Sequence, residues 1–409
     1  MKRILTLLLI TLSFSQWSYG QMRFGFEMQE GQNVAEIPIA MVSNLVILPV
    51  TVNKFLSLNF VLDTGVETTI LTEPDYAPLM GVNLVRQITI SGAGEQDSIK
   101  AFLGQGLTLE LPNGIVGNNI DILVLDENYL RLSEQMGIKV HGIIGYEIFK
   151  RFVVEIDYDK PVLRLYRPDS YNPPRRSQKL PITFNGSFKP YLNAVLTNEG
   201  VRDTVSLMID SGASHALLLD ADQTRIPRPS RTIETQLGTG LGGIITGDLG
   251  RVSNVEIGEY DFRDVIVSIP DQDDYNLAIK RGARHGTIGG EILYRLNPVF
   301  DYQNQMVYFS KAKAFKSYFD YDMSGMYLIS QGSFLDSLFV SNVRPESPAD
   351  LAGIQRGDQI LSINSLNYPP TTLNAFTSML RKRPGKKITI RVIREGRRER
   401  FTFKLKRPI

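Results

Sequence analysis

Cysteine is absent from all 409 residues, tryptophan occurs once and histidine three times. Without cysteine the chain has no disulfide, thiolate nucleophile, zinc finger or cysteine-ligated iron–sulfur cluster, so its stability must come from packed cores. A dominant charge sign is also missing: 45 Lys and Arg stand against 43 Asp and Glu, a formal net charge of +2. That field is too weak to draw the whole molecule to nucleic acid, and no nucleic-acid partner is expected. No His-Glu-x-x-His or comparable metal spacing occurs, so neither metal nor cofactor is expected. What remains is a globular composition, 43% hydrophobic and 22% charged, with enough apolar mass for two or three cores.

The only prominent apolar run near the start, residues 4–14, follows Lys2 and Arg3 and precedes the small residues Ser18 and Gly20. This pattern predicts an export leader over residues 1–20, a mature start near Gln21, and a periplasmic, envelope or secreted location. The run is short for a membrane span.

An internal repeat organises the middle of the chain. Residues 141–158 align without gaps on 285–302, with 9 of 18 positions identical, among them His141/His285, Gly145/Gly289, Glu147/Glu291 and Arg151/Arg295. Upstream of each copy, three apolar residues run into Asp63-Thr64-Gly65 and into Asp210-Ser211-Gly212. The offsets, 63 to 210 and 141 to 285, are 147 and 144 residues, which means domain duplication and not a solenoid. The predicted organisation is an N-terminal segment over 21–39, a first lobe over 40–168, a polar linker over 169–179 and a second lobe over 180–312. Both lobes read as all-β, with short β-branched runs between Gly, Asn and Asp turns and one short helix each, near 146–150 and 291–294. Such spacing predicts barrel-like or sandwich units.

A single Asp-Thr/Ser-Gly tripeptide is only a turn signal. Two of them, each ending a buried strand at equivalent points of a duplicated unit, are not explained by chance. A strand that leaves the core into a glycine turn presents its Asp at the strand mouth, where the Thr64 or Ser211 hydroxyl and nearby N–H groups can hydrogen-bond the carboxylate. A pseudo-twofold axis would bring Asp63 and Asp210 face to face, close enough to share one proton.

On these residues the chain resembles pepsin-like and retroviral-type aspartic proteases, in the exported bacterial form with two lobes on one chain. The resemblance covers residues 40–312 and includes Ile143-Ile144-Gly145 and Thr287-Ile288-Gly289, segments that in that family thread past the catalytic loops and support them. It implies a peptide or protein substrate and an endopeptidase mechanism in which Asp63 and Asp210 activate a water, with no covalent intermediate. Thr64, Gly65, Ser211, Gly212, Gly145 and Gly289 would hold the loops. Val66-Glu67 departs from the family after the first motif, and Glu67 is expected to point outward because a buried unpaired carboxylate is costly. Thr287 departs at the second supporting element. Glycine-rich stretches at 91–94 and 238–243 would be flaps, with Gly92, Gly94, Gly238 and Gly240 as candidate flap residues. The formal Gly-x-Gly-x-x-Gly at 238–243 lacks the strand-to-helix setting of a dinucleotide site. His141 and His285, at equivalent repeat positions, suggest a structural role, and His215 is expected on an outward strand.

After a connector over 313–321 the character changes. Ser347-Pro348 starts a helix that Gly353 ends, Gly357-Asp358 turns the chain, 360–363 alternates as a strand, and 372–381 places Leu373, Phe376 and Leu380 on one helical stripe. Residues 322–409 are similar to PDZ domains. That resemblance implies a C-terminal or internal peptide ligand beside Gly325, Met326, Tyr327 and Leu328, its terminal carboxylate taken by N–H groups near Gly325. Residues 381–407 carry 13 basic and 2 acidic side chains. They read as the solvated face of two last strands, with contact to an anionic membrane surface as the functional alternative. Two functions follow: an aspartic endopeptidase with a PDZ module, or a catalytically inactive peptide-binding adaptor of the cell envelope.

Overall fold

Alternation of apolar and polar residues decides the strands. Val34–Pro38 buries Ala35 and Ile37 and exposes the residues between them, whereas Leu45–Val52 is buried along most of its length. These are the patterns of a half-covered and a fully covered strand. The computed structural model describes residues 24–94, 98–271 and 284–409; the leader-like residues 1–20 lie outside the described residues. In the first lobe nine strands form a sheet that curls until Ile115–Leu125 pairs with both Thr69–Leu71 and Ile99–Leu111. Seven strands do the same in the second lobe, where Gly243–Ile257 pairs with Tyr191–Asn198, Ile233–Gly240 and Tyr260–Pro270. Both lobes are barrel-like all-β units.

A six-stranded antiparallel sheet joins them. Val34–Pro38, Val153–Asp157 and Val162–Tyr166 come from the first lobe, and Gln178–Pro181, Val299–Asp301 and Met306–Phe309 from the second. Its central pairing sets Val154 against Phe300 and Glu155 against Val299. One apolar core runs through both lobes and this sheet, so the lobes are parts of one folding unit. Three expectations shift as a result. Residues 25–28 and 34–38 are strands of the fold and not a separate leading segment, because they complete the first barrel and the shared sheet. Gln178 and Lys179 leave the linker for the shared sheet. The first lobe also contains the helices Ala77–Met80 and Leu132–Met136 besides Tyr146–Phe149.

The repeated arginine anchors flanking chain in each lobe. Arg151 donates to the Phe24 carbonyl at 2.6 Å. Arg295, wholly buried, donates to the Tyr318 carbonyl at 2.9 Å and lies over the Phe319 ring at 3.9 Å, which fixes the connector to the second lobe.

The C-terminal module has its own core around Leu338, Ile363, Phe376 and Ile390. Its sheet runs from the edge strand Met326–Gln331 through Ser337–Val343, Gln359–Ile363 and Lys387–Arg394 to Arg397–Lys404. Lys387 and Arg391 are exposed and alternate with buried Ile388, Ile390 and Val392, so these two basic residues line the outer face, whereas Arg394 turns to the buried Asp358 carboxylate. Helices Pro348–Leu351 and Leu373–Arg381 start at caps: the Ser347 and Thr372 hydroxyls accept from the Asp350 and Ala375 N–H groups. Ser347→Ala is expected to destabilise this module by about 1 kcal/mol in chemical denaturation.

Candidate active site

Each repeated aspartate follows a strand held on one side by its repeat's supporting strand. Gly142–Ile144 runs parallel to Leu56–Leu62, pairing Gly142 with Phe60 and Ile144 with Leu62. Gly286–Ile288 does the same against Val201–Ile209. The Asp63 N–H then donates to the Ile144 carbonyl and the Asp210 N–H to the Ile288 carbonyl, both at 2.9 Å. Glycine is required beyond each supporting strand. A Cβ on Gly145 would overlap the Asp63 carbonyl oxygen, and one on Gly289 would overlap that of His215. Glycine is equally required in the loops themselves, because a Cβ on Gly212 would occupy the position of the Asp63 carboxylate.

The two loops bind each other crosswise. The Thr64 hydroxyl donates to the Ile209 carbonyl at 2.6 Å and accepts from the Ser211 N–H at 3.0 Å. The Ser211 hydroxyl donates to the Leu62 carbonyl at 2.8 Å and accepts from the Thr64 N–H at 3.1 Å. Both side chains are buried. This corrects the expectation that these hydroxyls serve their own carboxylates: they satisfy buried backbone of the opposite lobe instead. The carboxylates are oriented by the glycine N–H groups, Gly65 to Asp63 at 2.6 Å and Gly212 to Asp210 at 2.9 Å.

The Asp63 and Asp210 carboxyls lie side by side: a Cβ on Gly65 would meet Oδ1 of Asp63 at 3.0 Å and Oδ1 of Asp210 at 3.4 Å. Burial, and next the negative charge of Asp210, hold the Asp63 carboxyl well above the usual carboxylate range; the Gly65 N–H and the Lys189 ammonium pull the other way. The pair is therefore arranged to keep a proton where isolated carboxylates would lose it. Sequence reasoning missed Lys189 and Tyr302. Tyr302 is buried near both aspartates, its hydroxyl lacks a hydrogen-bond partner among the described residues, and burial followed by the Asp63 charge pushes its pKa up. Only its place in the repeat, opposite Tyr158, marked it in the sequence.

Both glycine-rich stretches sit at hairpin tips that reach across to the opposite lobe. Asn83–Ile90 leads to residues 91–94, and Ile233–Gly240 turns into Gly243–Ile257. The Gly242 N–H donates to the Ala93 carbonyl at 2.9 Å. Leu241 packs on the first-lobe cluster of Ile70, Ile99, Ala101 and Leu125, and Ala93 packs against Leu218 of the second. A Cβ on Gly92 would strike Leu241, one on Gly94 the Gly242 backbone, and one on Gly240 the Ala93 carbonyl. Gly238 meets nothing, so the close approach does not require glycine there. Gly240→Ala is expected to part the tips and lower kcat/KM by about 10²-fold, the scale of a misplacement near 1 Å, read in steady-state kinetics.

Glu67 is exposed, and Thr287 is buried with its hydroxyl unpartnered among the described residues. The Nδ1 atoms of His141 and His285 accept from the Asn59 and Ser206 N–H groups at 3.1 and 2.9 Å, a repeated fastening of the supporting strand. His215 departs from expectation. It is turned inward near Asp210 with Nε2 enclosed and unpartnered among the described residues, and burial pushes its imidazole down to about 4.

The candidate peptide-binding residues of the C-terminal module face the protease lobes. Gly325, Met326, Tyr327 and Leu328 line a cavity of about 560 Å³ together with residues of both lobes. The expected carboxylate-binding N–H groups are already engaged: Ser324 and Gly325 donate to Asp322 at 2.9 and 2.6 Å, and Met326 donates to the Ser324 hydroxyl at 3.1 Å. The short Asp322-Met323-Ser324 turn brings a carboxylate to that point, which the module's overall pattern did not reveal. Among the described residues no group of three or more His, Cys, Asp or Glu is arranged to hold a metal.

Residues 194–291 match the aspartyl protease family, and residues 339–394 match the PDZ domain family. The first match contains Asp210-Ser211-Gly212 and the supporting element through Gly289, and the two together give the protease-plus-PDZ order read from the sequence. No curated protein matches the chain. The likeness supports a protease fold joined to a peptide-binding module.

Proposed function

We propose that this chain is an aspartic endopeptidase. The observation that carries the reading is the symmetric loop pair: two adjacent carboxylates, each aimed by a glycine N–H, on loops whose hydroxyls brace the backbone of the opposite lobe. In the reaction a water lies between Asp63 and Asp210. One ionised carboxylate takes a proton from this water as its oxygen attacks the scissile carbonyl, while the protonated partner donates to the carbonyl oxygen. The tetrahedral intermediate collapses as the peptide nitrogen receives a proton, releasing an amine and a new carboxylic acid. The flaps exclude bulk water and offer backbone to an extended substrate.

The C-terminal module is assigned to binding of substrate or partner peptide, supported by its PDZ likeness. An exported setting is supported by the leader pattern of residues 1–20. Incubating the purified protein with a diverse peptide library and reading new termini by mass spectrometry tests the activity. Cleavage is the expected result. An intact library in the presence of folded protein would favour the second reading, a peptide-binding adaptor on a silent protease scaffold, which the departure at Val66-Glu67 suggests.

A further inference from the structure

The last two strands of the C-terminal module carry a charge pattern that their fold does not require. Lys387–Arg394 and Arg397–Lys404 pair antiparallel, and alternate residues of each turn to one outer face. The register sets Lys387 directly opposite Lys404 and Arg391 directly opposite Arg400, with Arg398 further along, opposite Ile393. Between the two like-charge pairs the Thr389 and Thr402 hydroxyls bond to each other at 3.2 Å, which places the side chains of both strands on the same face. No carboxylate answers these cations among the described residues. Glu399 stands opposite the buried Val392, on the inner side, and pairs with Arg394 at 3.5 Å; Glu395 lies in the turn between the strands. Lys387, Arg391, Arg398, Arg400 and Lys404 make no ion pair or side-chain hydrogen bond among the described residues.

Like charges directly opposite one another across two strands weaken the pairing. Protection of a sheet edge accounts for charge on the outermost strand, Arg397–Lys404, but mixed signs would protect it equally. Nor does it reach Lys387 and Arg391, which belong to an interior strand paired on its other side with Gln359–Ile363. The bias extends beyond this face. Residues 381–407 hold 13 basic and 2 acidic side chains, net +11, in a chain of formal charge +2, so the remainder carries net −9. A molecule so polarised turns its basic end toward an anionic surface and its remainder away.

Two features say which kind of anion fits. Phe401 and Phe403 pack on the inner side, so the outer face has no aromatic ring on which a base could stack. Its two threonine hydroxyls are turned to each other, so what it presents is an array of cations with nothing that selects the outline of one protein partner. We propose that this face docks the chain on an anionic phospholipid surface, its lysines and arginines lying among the headgroup phosphates. None of the five cations lines the cavity that the module shares with the lobes, so docking does not occupy it.

The test is co-sedimentation of the full chain with phosphatidylglycerol-containing vesicles and with pure phosphatidylcholine vesicles. Binding to the anionic vesicles alone is expected, and its loss at about 1 M salt, where screening acts within about 3 Å. Lys387→Glu with Arg391→Glu should weaken binding on the order of 10²-fold, since each lost cation contributes roughly fivefold and each reversal counts twice. The same change turns both like-charge pairs into opposite ones, against Lys404 and Arg400, so the Tm should hold or rise; this separates lost docking from lost folding. Lys100→Glu with Lys160→Glu, the same charge change at exposed positions of the first lobe, should leave binding within about twofold. Equal binding to both vesicles, binding to neither, or unchanged binding by the strand variant would overturn the proposal. So would capture by polyglutamate or duplex DNA at salt concentrations that already release the vesicles, which would assign the face to a soluble polyanion. Peptide cleavage plays no part in the readout, so the outcome is independent of the peptidase reading.

Discussion

Asparagine at either Asp63 or Asp210 is expected to lower peptide cleavage on the order of 10⁴-fold while the fold survives, because one residue type supplies both the general acid and the general base. Asparagine retains an oxygen that can accept from Gly65 or Gly212, so the loops keep their shape. Stability adds a second readout. The Asp63 carboxyl is held above its ordinary value in the folded chain, chiefly by burial and next by Asp210. Between the ordinary and the raised value the native state holds a proton that the unfolded chain has released, so stability falls as pH rises through that window. Asp63→Asn has no such proton to lose. Its Tm should therefore gain on the wild type as pH rises through the window, with no such gain below the ordinary carboxylate range. A variant that unfolds at all pH values would show instead that the carboxylate is structural.

Removing the crossed hydroxyls should have the largest effect on stability. Thr64→Val keeps the side-chain shape but leaves the Ile209 carbonyl and the Ser211 N–H buried without partners. Each unsatisfied group costs roughly 1–3 kcal/mol, so a loss of roughly 2–6 kcal/mol in denaturant unfolding is expected. Catalysis should fall as well, on the order of 10²-fold, since these bonds fix the distance between the loops that carry the aspartates. Thr64→Ser, which keeps the hydroxyl as Ser211 does in the other lobe, should cost only about 1 kcal/mol for the missing methyl. Equal losses for Val and Ser would mean that packing, and not the crossed bonds, sets the loop geometry.

The two aspartate loops were legible because their pattern is written in contiguous residues and written twice. Asp63-Thr64-Gly65 and Asp210-Ser211-Gly212 end apolar strands, and the matched segments ending in Gly145 and Gly289 mark the supporting elements. The caps Ser347 and Thr372 were legible for the same local reason. What escaped depends on pairing between distant residues. Nothing in 153–157 signals a partner at 299–301, yet that pairing builds the sheet joining the lobes. The hydroxyls of Thr64 and Ser211 were recognised as hydrogen-bonding groups, but their partners lie 145 and 149 residues away. His215 was misjudged because strand alternation gives a face without saying whether another element covers it. Here residues 213–216 are loop and not strand, and the His215 ring lies beside Gly289 of the supporting element.

The central claim, that two carboxylates sharing a proton hydrolyse peptide bonds, is tested most directly by the pH dependence of kcat/KM on one cleaved peptide over roughly pH 3 to 8. The dyad predicts a bell whose upper limb falls above the ordinary carboxylate range, following the raised Asp63, and no activity across the range in Asp210→Asn. A rate that climbs toward neutral pH and survives in Asp210→Asn would contradict it and place the chemistry elsewhere in the chain.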